Sequence, residues 1–283
     1  MPFQTFQKII GPQKRRGAKT RVKFAKYWVR RPSASSIIEK MRISLQLYTV
    51  RDALAKDLQG TLDKVRDIGL KYVEFAGYYD QSASDWKTLV TDRGLTFSAA
   101  HIGFDQIRDD FDEVVENCKI MGVETVVVPW IGEDHYKDGW DAFGRVLQPI
   151  GQMLKKEGLQ LAYHNHAFEF KTDGLVGLYG ATSPDILKAQ LDLAWVSIGG
   201  ADPVDYIHRF ADRTTQVHLK DYDPTKTPQW RPAGQGILDW DPIIAACLEA
   251  GVQYGSIELD ESPGDPIEAV RESFNYFAAK GLN

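Results

Sequence analysis

The chain has 283 residues, of which 43% are hydrophobic and 26% charged. That length and apolar content suit one cored domain rather than a disulfide-stapled mini-protein, and no run approaches the ~20 consecutive apolar residues of a membrane span. The charge is divided unevenly: residues 1–40 hold eleven Lys and Arg and one acid, which leaves 23 basic against 38 acidic residues for 41–283, a body too acidic for a phosphate-backbone partner such as nucleic acid.

In chain order, the basic stretch 1–40 comes first and reads as an N-terminal extension outside the catalytic domain, with Met41 directly ahead of the first apolar strand. A targeting peptide or nucleic-acid tail is the weaker reading of such a composition. Ile43 to Tyr48 is the first strand. A recurring junction then appears, in which an amphipathic stretch ends at Gly and a branched residue opens an apolar run: Gly69-Leu70, Gly94-Leu95, Gly122-Val123, Gly158-Leu159 and Gly251-Val252. Gly closes a helix in the left-handed conformation, and the run that follows has strand composition. Segments around Gln190 to Leu193 and from Thr214 to Leu219 bring the strands to eight, nearly all separated by helix-like stretches. Alternating strands and helices imply parallel crossovers, and eight units from Met41 to Asn283 predict an α/β fold, a (β/α)8 TIM barrel of the usual ~250 residues. A doubly wound open sheet is the competing architecture. Cys118 and Cys247 fall in helical patterns among apolar neighbours and read as core thiols of a cytoplasmic protein.

Four of the six histidines, His101, His164, His166 and His218, stand where predicted strands end. Residues two apart share a strand face, so His164 is aligned with Ala162 and His166, His218 with Gln216 and Lys220, and Glu258 with Ser256 and Asp260. His164, Asp192, His218 and Glu258 are separated by about one strand-helix unit each, so that four consecutive strands would each bring one ligand to one mouth. Two imidazoles and two carboxylates suit one divalent ion of Mn, Zn, Co, Fe or Ni better than an all-oxygen calcium site. Taken singly, His164 or His166 reads as a hydrogen-bonded loop histidine and Asp192 as a helix cap; His218 and Glu258 are harder to place in an apolar core. Glu74, Trp130 and Trp195 are the candidate substrate-binding groups around the mouth. The Gly234-Gln235-Gly236 segment lacks the third glycine of a dinucleotide fingerprint and reads as a tight loop before a helix capped by Asp239.

The segments Leu45 to Asp52, Tyr163 to Phe170, Leu191 to Val196, Val217 to Asp221 and Ile257 to Asp260 together resemble the sugar phosphate isomerase/epimerase family with a xylose isomerase-like TIM barrel. The resemblance runs from about Arg42 to the C-terminus. It implies a metal-dependent isomerase or epimerase in carbohydrate metabolism, acting on a sugar or polyol carbonyl compound through an enediolate. It also implies metal-ligand positions at Asp192, His218 and Glu258, and it sets His164 where many epimerases carry a glutamate, with His166 as the alternative alignment. That histidine puts two-carboxylate epimerisation in question and brings a carbon-oxygen lyase, acting on a keto-inositol or 3-keto-glycoside, forward as the runner-up. A non-catalytic sugar-binding subunit is the third reading. Proton abstraction next to the carbonyl would fall to Glu258, His101 or His166, with Lys220 stabilising an oxyanion or protonating a leaving hydroxyl. A homo-oligomer is compatible with the sequence and not readable from it.

Overall fold

The computed structural model describes residues 41–283; the extension expected at 1–40 lies outside the described residues. The strands are β1 Arg42–Gln46, β2 Tyr72–Phe75, β3 Thr96–His101, β4 Thr125–Val128, β5 Gln160–His164, β6 Leu187–Asp192, β7 Thr214–Leu219, β8 Asp221–Tyr222, β9 Trp230–Arg231 and β10 Tyr254–Ile257. Eight of them close into a barrel in the order β1-β10-β7-β6-β5-β4-β3-β2, with β1 paired in parallel to both β10 and β2. The expected TIM barrel is therefore present, and the open-sheet alternative is excluded by that closure.

The five Gly junctions all lie at positive φ, from 67° at Gly94 to 108° at Gly69, and each barrel strand begins two or three residues further on. The first strand stops at Gln46 instead of Tyr48 because the Gln46 side chain accepts a hydrogen bond from the Tyr48 N–H and turns the chain into the 3-10 segment Leu47–Val50. A second difference is the antiparallel ribbon of β8 and β9 after β7, which adds two short strands to the eight expected. Asp239 caps the helix Trp240–Ala250 as expected.

Most apolar mass lies between the strands and the outer helices, where Leu45, Val73, Leu191, Val217 and Ile257 are buried. Inside the barrel the residues are small or polar. Ala99, Val127 and Ala162 form a separate small cluster, and Ser44, Gln46, Glu74, Gln190, Gln216 and Ser256 are buried. Registers Asp192↔His218 and Ser256↔His218 set three adjacent strands level with one another, so Glu258, two residues beyond Ser256, rises on the same face at the C-terminal mouth. Cys118 and Cys247 are both buried and unpaired, as the core reading required. No helix among the described residues is long and apolar enough to cross a membrane.

Candidate metal centre and cavity

His164 ends β5, Asp192 ends β6, His218 lies in β7 and Glu258 follows β10. One ligand atom from each lies within 4.8 Å of the others, and all four residues are buried. His166, the alternative to His164, stands outside this group of four. The His218 ring is held from both sides: Nδ1 is 2.8 Å from Glu258 Oε2, and Nε2 is 2.9 Å from Glu74 Oε2. Burial works to lower the His218 pKa, yet the attraction of Glu258 and Glu74 raises it to about 10.

Asp192 divides its carboxylate. Oδ1 accepts from the Trp195 N–H at 2.9 Å and caps the helix Leu193–Ile198, so the capping reading holds for one oxygen. Oδ2 is buried with no hydrogen-bond partner, 4.0 Å from an imidazole nitrogen of both His164 and His218 and 3.4 Å from Lys220 Nζ. Burial pushes the Asp192 pKa up to about 6 against the pull of Lys220. A carboxylate oxygen without a hydrogen bond, gathered with two imidazoles and a second carboxylate, is a nitrogen and oxygen donor set that fits a divalent metal.

Beside this cluster is a cavity of about 500 Å³. His101, His164, His166, Glu258 and Asp260 form its polar wall, and Tyr48, Pro129 and Trp130 its other side. Trp130, which lines this cavity, is 58% exposed. A larger cavity of about 900 Å³, lined in part by Glu133, Tyr136, Asp141 and Asp173, includes none of these residues. His101 Nε2 lies 2.7 Å from Gln190 Oε1 and 3.1 Å from Glu74 Oε1; two acceptors on one nitrogen place the proton there and leave Nδ1 as the acceptor in neutral His101. Burial, helped by the Lys220 charge, holds His166 down to about 4, so its imidazole is neutral near pH 7.

Three expected roles change. Glu74 is expected to bind substrate, but it is fully buried, and its oxygens are taken by His218, His101 and the Gln190 amide, behind the two rings. Trp195 was read as a sugar platform, yet it is not part of the cavity wall. It packs against His166, edge-on to Trp230, with Lys220 Nζ 5.4 Å from its ring. Lys220 was read as an acid or oxyanion donor. It is 1% exposed and already contacts Asp260 at 2.5 Å and Glu258 at 3.0 Å, under the Trp230 ring, which makes it a neutralising group between carboxylates.

Sequence reasoning gave no role to four buried contributors. Glu169 accepts from Tyr163 Oη and from the His166 N–H, fixing the turn that carries His166. Asp221 accepts from the N–H groups of Tyr222, Gly234, Gly236 and Leu238 and from Trp240 Nε1, which fastens the loop bearing Trp230. Gln190 and Gln216 link Glu74 to the Ser98 carbonyl. Only strand parity pointed to the glutamines; nothing local marked the other two.

The family model described as xylose isomerase-like TIM barrel matches residues 62–280. An inosose dehydratase of Lacticaseibacillus casei is 24% identical over 261 residues, covering 77% of this chain and 88% of its own. Among solved structures, a sugar phosphate isomerase/epimerase from Parabacteroides distasonis aligns with TM-score 0.74 at 24% identity, over 87% of this chain and 96% of that one. An L-ribulose 3-epimerase aligns with TM-score 0.65 at 17% identity, over 86% and 94%. At these identities the structural likenesses establish the fold.

Proposed function

The chain belongs to the xylose isomerase-like TIM barrel family, and from that membership and its site we propose a divalent-metal-dependent enzyme that removes a proton next to the carbonyl of a sugar or polyol. His164, Asp192, His218 and Glu258 would hold the ion. When bound, the ion supplies Lewis acidity to the substrate's carbonyl oxygen. The observation that carries the reading is the orphaned Asp192 Oδ2 inside the four-residue cluster, directly beside a cavity walled by two further imidazoles.

The proton would go to His101 Nδ1. Glu74 and Gln190 stand behind its Nε2–H, which orients the ring with Nδ1 free to accept, the arrangement a base needs. His166, neutral and on the same wall, would donate its N–H to a second substrate oxygen. Glu258 is pulled well below the ordinary carboxylate range, against burial, by Lys220 and His218, and so serves as a ligand in preference to a base. The rings of Trp230, buried, and Trp195, partly buried, lie against the Lys220 ammonium.

Reprotonation on the opposite face would give an epimer, and reprotonation on the neighbouring carbon an isomer. Loss of a β-hydroxyl would make the protein a carbon-oxygen lyase. We place the lyase first, because imidazoles in place of a second carboxylate suit acid assistance to a leaving hydroxyl, and the inosose dehydratase relative supports that outcome. The isomerase or epimerase is the second reading, supported by the fold likeness to sugar isomerases and epimerases. The test is proton NMR of metal-loaded protein in deuterium oxide with ketoses, keto-inositols and 3-keto-glycosides. Deuterium entering next to a carbonyl, followed by an unsaturated or dehydrated product, supports the lyase; exchange with an epimer or isomer supports the second reading. Absence of exchange with bound metal would sink both.

A further inference from the structure

Resting on the reading just given, we propose that Asp260 is a specificity-determining residue that admits uncharged polyhydroxylated substrates and rejects phosphorylated or carboxylated ones. Asp260 lies on the cavity wall two residues beyond Glu258, with about a third of its side chain, 31%, still exposed. Its Oδ1 is held by Lys220 Nζ at 2.5 Å, so the carboxylate is fixed in place as it faces the cavity. A fixed carboxylate accepts hydrogen bonds from vicinal hydroxyls and repels anions.

Charge bookkeeping around the cavity leads to the same conclusion. The lining holds two carboxylates, three imidazoles and no Lys or Arg. Lys220, the nearest ammonium beneath the wall, contacts Asp260, Glu258 and Asp192 and is 1% exposed, so it has neither the free charge nor the access to meet a phosphate. Arg51, near the mouth, stacks on Tyr48 at 4.2 Å and donates to the Tyr48 carbonyl. A divalent ion in the cluster would be balanced by Asp192 and Glu258, and Lys220 is balanced by Asp260. Among the described residues the lining offers no Lys or Arg and Lys220 is already shared by carboxylates, so the paired, charge-assisted hydrogen bonds that hold a phosphate dianion find no donor on this wall.

The apolar part of the lining matches a neutral ligand. Trp130 and Tyr48 offer apolar ring faces of the kind that cover the C–H faces of a polyol, and the cavity of about 500 Å³ is of a size to enclose one sugar ring. Selection would thus come from a repulsive group added to an attractive surface.

The experiment is calorimetric titration of Mn2+-loaded protein with D-fructose, D-fructose 6-phosphate, 2-keto-myo-inositol and inorganic phosphate, in wild type, Asp260→Asn and Asp260→Ser. Metal stoichiometry and unfolding midpoint serve as fold controls. A neutral ligand is expected to bind at least tenfold tighter than either phosphate compound in the wild type, on the scale that one like-charge contact imposes. In either folded variant the ratio should shrink several-fold. Fructose 6-phosphate binding as tightly as fructose, an unchanged ratio in both variants, or no binding of any neutral polyol would overturn the inference. The wild-type ratio decides even if both variants fail to fold. Because binding is read without turnover, a preserved neutral preference with no deuterium exchange would remove the proposed reaction and leave the selectivity standing.

Discussion

Replacing Glu74 by Gln isolates what a buried carboxylate behind a ligand does. In the wild type, Oε2 meets His218 Nε2 at 2.9 Å, while Oε1 meets the Gln190 amide at 2.5 Å and His101 Nε2 at 3.1 Å. Every contact of both oxygens is with a donor. A glutamine keeps one acceptor and turns the other position into a donor, so one side of this bridge must lose its partner. If the His218 side is lost, the ring is no longer held with Nε2 protonated and Nδ1 toward Glu258. Loss of such a supporting carboxylate typically weakens metal binding by about 10–100-fold, which is ~1.4–2.7 kcal/mol. Glu74→Ala removes both sides and leaves buried donors unpaired, so it should also destabilise the fold by about 3–5 kcal/mol. The assay is competition of Mn2+ or Zn2+ against a fluorescent chelator, with urea unfolding in parallel. An affinity for both metals within twofold of wild type in folded Glu74→Gln would refute the argument that Glu74 supports the cluster.

Burial raises the Glu169 pKa to about 7 despite the hydrogen bonds from His166 N–H and Tyr163 that favour its charged form. The folded state therefore binds the proton more tightly than the unfolded chain does, and its stabilising contribution is full below about pH 4.5 and lost as pH rises through about 7, by roughly 3 kcal/mol. Urea unfolding at pH 5 and pH 7.5 should show a smaller pH-dependent loss in Glu169→Gln than in wild type; equal losses would contradict it. Trp130→Ala, at an exposed rim position, should leave the unfolding midpoint unchanged and raise KM up to about tenfold with little effect on kcat, as expected for loss of an aromatic contact worth ~0.5–1.5 kcal/mol; a kcat loss alone would contradict the platform role. Asp221→Ala strands the five donors gathered on one carboxylate and should destabilise by about 3 kcal/mol, with faster amide exchange across 230–240. A loss under about 1 kcal/mol would mean that the loop holds without it.

The barrel was legible because its signals are local: a Gly at each helix end, an apolar run after it, and a repeat length near one strand-helix unit. His164, Asp192, His218 and Glu258 were legible for a related reason, since a shared strand parity at successive strand ends is enough to aim four side chains at one mouth. Depth was not legible. Glu74 has the correct parity, yet its short strand leaves it under His218 and His101 instead of on the cavity wall, and parity alone cannot tell those positions apart. Lys220 shares a face with His218, but the carboxylates and tryptophans that enclose it come from β6, the helix Leu193–Ile198, the loop after β10 and the ribbon, and only the closed barrel brings them together. Asp221 has donors up to 19 residues downstream, and Glu169 is tied to a Tyr side chain inside the strand before it. Such pairings follow from loop paths that no local pattern encodes.

The central claim is that His164, Asp192, His218 and Glu258 together hold one divalent ion. Native mass spectrometry of protein reconstituted with Mn2+ or Zn2+ tests it most directly, with wild type, His218→Ala and His166→Ala measured side by side. The account predicts one ion per chain in the wild type and in His166→Ala, and none in folded His218→Ala. One ion retained in His218→Ala, or lost only in His166→Ala, would contradict it.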